Sequence, residues 1–263
     1  MPRRALRFVA LAYLAVLLVV PIGLVFWRTF EHGVSPVIDA LTSHSVLHAF
    51  RITLIVAVWT VVLNTIFGVG AALLLVRHRF PGKRLFSAVI DLPLAVSPVV
   101  VGLALILVYG RFAPIGGWLE QHGLQVIFAL PGMVLATVFV SLPLVVREIA
   151  PVLEEVGVDQ EQAAWTLGAS RFQAFRRVTL PSIRWALGYG VVLTLARALG
   201  EFGAVAVVSG RLVDKTQTVT LVVEERFLNF DPTTAYAASV ALAVISIVCL
   251  LVVNLLRAKE DVG

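Results

Sequence analysis

Charge is scarce in this chain: Asp, Glu, Lys and Arg make up 14% of its 263 residues, against 59% hydrophobic residues. A soluble domain of that length needs a polar surface that so few charges cannot cover. A bilayer removes the need. Lipid offers no partner for free backbone groups, so the expected fold is all-helical. Cysteine is nearly absent too. The single Cys249 excludes an internal disulfide, and its apolar setting reads as packing. The phosphate-cradling pattern G-x-x-x-x-G-K-S/T does not occur. Gly82-Lys83 comes nearest, with Arg77 in place of the first glycine and Arg84 in place of the hydroxyl. Ser-His-Asp order, a paired-metal acidic cluster and a nucleophile motif are missing as well. A membrane-embedded lipid-phosphate enzyme would need acids and bases clustered at one interface, and the sequence has no such cluster.

What the chain does have is six apolar runs near the ~20 residues needed to cross a bilayer. They lie near 8–27, 50–76, 85–109, 130–146, 186–208 and 234–256, the fourth being the shortest. The first follows Arg3, Arg4 and Arg7, as a signal peptide would. Its apolar core is too long for one and no A-x-A-like cleavage site follows, so it is expected to remain as a span. Lysine and arginine give the orientation. With the N-terminus inside, 14 of them fall on the inner side and 6 on the outer, with Arg197 left inside a span. Both termini are therefore expected in the cytoplasm. The net charge of +5 follows from this bias and not from a nucleic-acid-binding face. The expected organisation is one transmembrane domain, 1–263, with its longest inner loop at 147–185.

That loop is patterned. "PVLEEVG", from Pro151, reads as a short helix ending near Gly157. Asp159 at an N-cap with Gln162 three residues on reads as a capping box, and Ser170 with Gln173 as a second. Gly168 fits the left-handed position past a helix end. Pro181 opens the next span within its first turn. Ala163 and Ala164 keep one surface thin. Trp165 and Leu167 offer apolar area, ringed by Arg171, Arg176 and Arg177. From these features alone the segment is either a docking knob for a soluble partner or an amphipathic turn lying on lipid phosphates.

The block resembles the cytoplasmic "EAA" loop of ABC importer permeases. That pattern is E-A-A, three residues, Gly, nine residues, an aliphatic residue, one residue, Leu-Pro. Ala163-Ala164, Gly168, Val178 and Leu180-Pro181 match its spacing. Gln162 stands at the glutamate position, with Glu161 before it. "GYGVVLTLARALGEFGAVAVVSG", Gly188 to Gly210, resembles the fifth span of sulfate, thiosulfate and molybdate permeases. "LPLAVSPVVVGLAL" resembles their third span. With "KTQTVTL", where Thr220 replaces a frequent proline, the resemblance covers most of 50–256. It is nearest to the second permease subunit of sulfate/thiosulfate importers. The resemblance implies a type I permease fold with about six spans in a bacterial inner membrane. It also implies a second homologous permease subunit, an extracytoplasmic sulfate-binding protein and a pair of ATP-binding subunits that hold the ATP and magnesium. This chain would bind no cofactor. A molybdate or tungstate permease is the near alternative, and an ion-coupled secondary anion transporter the distant one.

Polar residues inside the spans are the other candidates. Arg197 and Glu201, four apart, are expected to share a helix face near mid-span, as an anion path or a structural ion pair. Asp91, before Pro93 and Pro98, could relay protons, but a locally hydrogen-bonded carboxylate is the simpler reading. Asn64 suits an interhelical hydrogen bond. His44 and His48 have the spacing of a metal pair without an evident third ligand, which favours a solvated segment.

Overall fold

The computed structural model describes the backbone of residues 3–260 and the side chains of 7–249 and 251. The extreme termini lie outside the described residues, as do the side chains of Arg3, Arg4, Arg257 and Lys259 that enter the charge bias. The described chain is all-helical. Arg7–Phe30, His44–Arg77, Leu130–Val156 and Pro232–Cys249 are each long and apolar enough to cross a membrane. Two bent pairs raise the count to six if each is one span: Lys83–Ala95 with Pro98–Tyr109, bent by 115°, and Arg171–Ser182 with Arg184–Leu199, bent by 72°.

The second span runs for 34 residues. At 1.5 Å per residue that is about 51 Å, well beyond a ~30 Å hydrocarbon core. A helix of that length extends past the lipid at one end or both. The fourth span is longer than its apolar run suggests. It continues through Pro143 and Pro151 to Val156, so "PVLEEVG" is the C-terminal end of this span and not a separate helix. Ile149 and Leu153 explain the continuity. Both are fully buried against Val69, Ala72, Ile90 and Ile183, which hold the helix course past the proline. The loop expected at 147–185 thus begins at Gly157, ten residues later than its charge pattern implied.

Proline also accounts for two local distortions. π-helical turns lie at Ala15–Val19 and Phe175–Thr179, each two residues before a proline, Pro21 and Pro181. A proline offers no N–H to the carbonyl four residues back and its ring crowds that carbonyl, so the preceding turn widens. Pro181 ends up in the short stretch Leu180–Ser182, before the bend, and the span proper starts at Arg184. The third run breaks at Val96-Ser97, just ahead of Pro98. The fifth breaks between Leu199 and Gly203 and resumes as Gly203–Val208. The connections after the first, third and fifth runs carry short helices of their own, Ser35–Thr42, Pro114–Gln121 and Val219–Leu228.

The second, fourth and fifth spans form the centre, and small residues let them approach, as helices in lipid require. Gly68 and Gly190 both face Val145. A Cβ on Gly68 would lie 2.7 Å from the Val145 Cβ, and one on Gly190 3.2 Å from its Cα. One turn away Asn64 Nδ2 donates to Ser141 Oγ at 2.8 Å, and that hydroxyl donates to Thr137 O at 2.5 Å. The first span has no buried residue in its most apolar 18-residue stretch, and its second half packs along the last helix.

Candidate functional site

The loop after the fourth span presents a short helix, Asp159–Thr166, between two glycines with positive φ, Gly157 at 66° and Gly168 at 87°. Gly168 closes the helix. The Ala169 N–H bonds Ala164 O and the Gly168 N–H bonds Trp165 O, both at 3.0 Å, a pair that requires a left-handed residue at position 168. The Ser170–Gln173 capping box forms, with Gln173 N–H to Ser170 Oγ at 3.2 Å and Ser170 N–H to Gln173 Oε1 at 2.8 Å. The expected Asp159–Gln162 box does not. Val158 is the N-cap and Asp159 is already helical, because Gly157 turns the chain one residue earlier. Asp159 and Glu161 still complement the positive end of the helix dipole from its first turn.

Glu161 is the buried member of the loop, 8% exposed, whereas Gln162 faces outward. One Glu161 oxygen, Oε1, accepts from Arg77 Nε at 3.3 Å, Arg77 Nη2 at 3.1 Å and Thr179 Oγ1 at 2.8 Å. Arg77 Nη1 donates onward to Leu153 O at 2.9 Å, a carbonyl in the last turn of the fourth span. The charge that matters structurally is thus Glu161, and a glutamine at 162 leaves this contact intact. Ala164 is half-buried, while Ala163, Trp165, Leu167 and Phe172 are turned outward, Leu167 with 88% of its surface free. Val178 and Leu180 are half-buried and Pro181 exposed. Arg171, Arg176 and Arg177 are exposed around them. A cavity of about 940 Å³ lies behind the helix, walled by Leu73, Arg77, Trp165, Phe175 and Thr179. Apolar side chains held outward on a polar loop make a contact surface.

Arg197 and Glu201 do meet: Nη1 to Oε2 is 2.6 Å, with the Glu201 side chain 2% and the Arg197 side chain 37% exposed. They do not share a helix face. The helix ends at Leu199, so Glu201 sits in the break between two half-helices. That position gives the carboxylate a second task. Its Oε1 accepts the Ala204 N–H at 3.0 Å and so caps Gly203–Val208. The Glu201 carbonyl accepts from Thr220 Oγ1 at 2.9 Å, while the neighbouring Val219 N–H bonds Thr53 Oγ1 on the second span at 3.0 Å. Thr220 thus ties "KTQTVTL" to the break, a contact that proline could not make.

Asp91 pairs with Arg147 Nε at 2.9 Å, joining the first half of the third span to the second half of the fourth. His44 and His48 lie on one helix with rings 6.4 Å apart, and His44 Nδ1 is 3.4 Å from Asp214 Oδ1. Among the described residues no cluster of three His, Cys, Asp or Glu is placed to hold a metal. Sequence reasoning missed Arg77, Thr179 and Arg147 as partners. Arg77 stood out only as the residue in place of the first glycine of the phosphate-cradling pattern. The signal that could have found it was its place as the first charge after a long apolar run.

Residues 64–259 match the family model described as binding-protein-dependent transport system inner membrane component. The chain is 48% identical over 250 residues to the sulfate transport system permease protein CysW of Synechocystis, covering 95% of this chain and 91% of that one. It is 45% identical over 243 residues to CysW of Escherichia coli, with 92% and 84% covered. It is also 36% identical over 251 residues to CysT of Escherichia coli, with 95% and 90% covered. Among solved structures, a chain of a bacterial alginate ABC transporter in complex with its alginate-bound periplasmic protein superposes with a TM-score of 0.78 at 16% identity, covering 98% of this chain and 94% of that one. At that identity the likeness speaks for the fold.

Proposed function

Because the chain belongs to the family of binding-protein-dependent transport system inner membrane components, we propose that it is the permease subunit of an ATP-driven sulfate importer. The observation that carries the mechanism is the helix Asp159–Thr166, set between two positive-φ glycines with Ala163, Trp165 and Leu167 turned outward. It acts as the coupling helix. A dimer of soluble ATP-binding subunits receives it, closes on ATP and magnesium, and moves it; this chain, lacking a phosphate loop, binds neither. Gln162, Ala163, Ala164 and Gly168 form the docking segment, with Glu161 anchoring it from behind. Val178, Leu180 and Pro181 carry the motion into the fifth span. Both termini and this loop face the cytoplasm, in keeping with the 14-to-6 bias of basic residues.

A second, homologous permease completes the membrane unit, and similarity to both CysW and CysT supports a pair of related chains. An extracytoplasmic protein delivers the oxyanion, as the family's own description suggests. Arg197 and Glu201 line the anion path. A bare guanidinium would hold a dianion tightly, and the adjacent carboxylate weakens that hold enough for passage. The pair suits any small oxyanion, so the choice among sulfate, thiosulfate and molybdate falls to the delivering protein. Affinity purification from native membranes tests the reading: an ATP-binding subunit should co-purify. A chain that purifies alone and takes up sulfate in liposomes on an ion gradient would instead be a secondary transporter using Arg197, Glu201 and Asp91.

A further inference from the structure

The coupling helix is attached to the membrane domain through a glycine at each end. Its two covalent connections pass through Gly157 and Gly168, and a Cβ at either would meet nothing within 4 Å. No side chain packs on that side of either glycine, so the two joints alone do not set the angle at which the helix meets the spans. Something else must fix its direction.

We propose that Arg77 is that fixture: a positioning residue that locks the coupling helix to the ends of the second and fourth spans at once. Its guanidinium has five donors in a rigid fork. Two hold Glu161 on the coupling helix, at 3.3 and 3.1 Å, and a third holds Leu153 O at the end of the fourth span, at 2.9 Å. Arg77 itself is the last residue of the second span. Glu161 also accepts from Thr179, in the segment that leads into the fifth span, at 2.8 Å. The setting favours the charge. Arg77 stands where the second and fourth spans both end, and the free carbonyls of two helix C-termini make the spot electronegative. Only 11% of either side chain is exposed, so water competes little for these bonds.

The geometry explains why an arginine is needed. A lysine is a single point of charge and cannot hold a carboxylate and a carbonyl in two fixed directions. It also divides the labour in the motif. The outward face, Gln162 and Ala163, meets the ATP-binding partner, and the inward Glu161 meets this subunit's own spans. Displacement of the helix then moves the second and fourth spans directly, without waiting for strain to travel along the chain through Thr179. The clasp at Val145 by Gly68 and Gly190 carries that movement further toward the centre of the bundle.

The inference rests on the importer reading, and its test is built to fail separately from it. The complete complex, with its delivering protein, is reconstituted in liposomes carrying wild type, Arg77→Gln, Arg77→Lys or the double cysteine variant Arg77→Cys with Glu161→Cys on Cys249→Ala. Uptake and ATP hydrolysis are read together at matched assembly. Arg77→Gln should keep the ATP-binding subunits and their hydrolysis while sulfate moved per ATP falls on the order of ten-fold, a usual size for coupling between sites. Arg77→Lys should not restore it. A short bifunctional thiol crosslinker across the double cysteine variant should restore uptake per ATP, and a reductant that cleaves it should abolish the gain. Unchanged uptake per ATP in Arg77→Gln, full rescue by lysine, or a crosslinked variant no better than the uncrosslinked one would overturn the proposal. Wild type without ATP-dependent uptake would refute the importer reading itself.

Discussion

Gly168 offers the sharpest single-residue test of the loop geometry. With φ at 87° and nothing within 4 Å of where a Cβ would sit, a substitution there meets no clash. Its whole effect is backbone strain. A left-handed conformation costs an ordinary L-residue about 1–2 kcal/mol, and a β-branched residue falls toward the upper end of the ~1–3 kcal/mol seen for strained positions. Asparagine tolerates that conformation far better. At ~1.4 kcal/mol per tenfold, Gly168→Val should lower the population of correctly aimed coupling helix roughly ten- to hundredfold, while Gly168→Asn should stay within a few-fold of wild type. Gly157 gives a contrast. At φ 66° and ψ −162° it occupies a region open essentially to glycine alone, so Gly157→Asn should fail where Gly168→Asn succeeds. The assay is co-purification of the ATP-binding subunits and oxyanion uptake, each normalised to membrane-inserted protein. Full uptake by Gly168→Val, or equal failure of valine and asparagine at 168, would refute the strain argument.

Three further predictions concern the rest of the molecule. A reporter fused at residue 170 should be cytoplasmic and one at 215 extracytoplasmic; the reverse pattern inverts the topology and removes the coupling role. Arg197→Leu leaves a buried Glu201 without its cation, a loss of about 3 kcal/mol, and should abolish uptake while ATP hydrolysis continues. Arg197→Leu with Glu201→Gln removes both charges yet keeps an oxygen for the Ala204 N–H. It should assemble and still fail to transport, and near-normal uptake would return the pair to a structural role. Asn64→Leu breaks the link to Ser141 between the second and fourth spans, worth roughly 0.6 kcal/mol by the average for such bonds in membranes. It should lower thermal stability in detergent slightly without touching the ATPase, and a severe folding defect would contradict that estimate.

The apolar runs were legible because a bilayer demands long uninterrupted stretches, and six of them stand out. The breaks within them were not. "VSP" before Val99 and "GEF" around Glu201 carry the same proline and glycine signals as a mild kink, and only neighbouring contacts decide between a bend and a break. Glu201 illustrates the cost: its spacing from Arg197 gave the right partner on the wrong backbone. In the loop, Gly168 and the Ser170–Gln173 box were readable because each rests on local backbone chemistry. The Asp159 box failed because Gly157, two residues upstream, shifted the helix start. Arg77 and Glu161 were beyond local reading, being 84 residues apart and joined only once the second and fourth spans pack side by side.

The most direct measurement of the central claim is radiolabelled sulfate uptake by proteoliposomes. They would hold this chain with its partner permease, two ATP-binding subunits and the delivering protein, with ATP enclosed or omitted and with no ion gradient. The account predicts uptake that requires ATP and the delivering protein together, and that disappears in Gly168→Val. Uptake by this chain without ATP, driven by an imposed ion gradient, would contradict it.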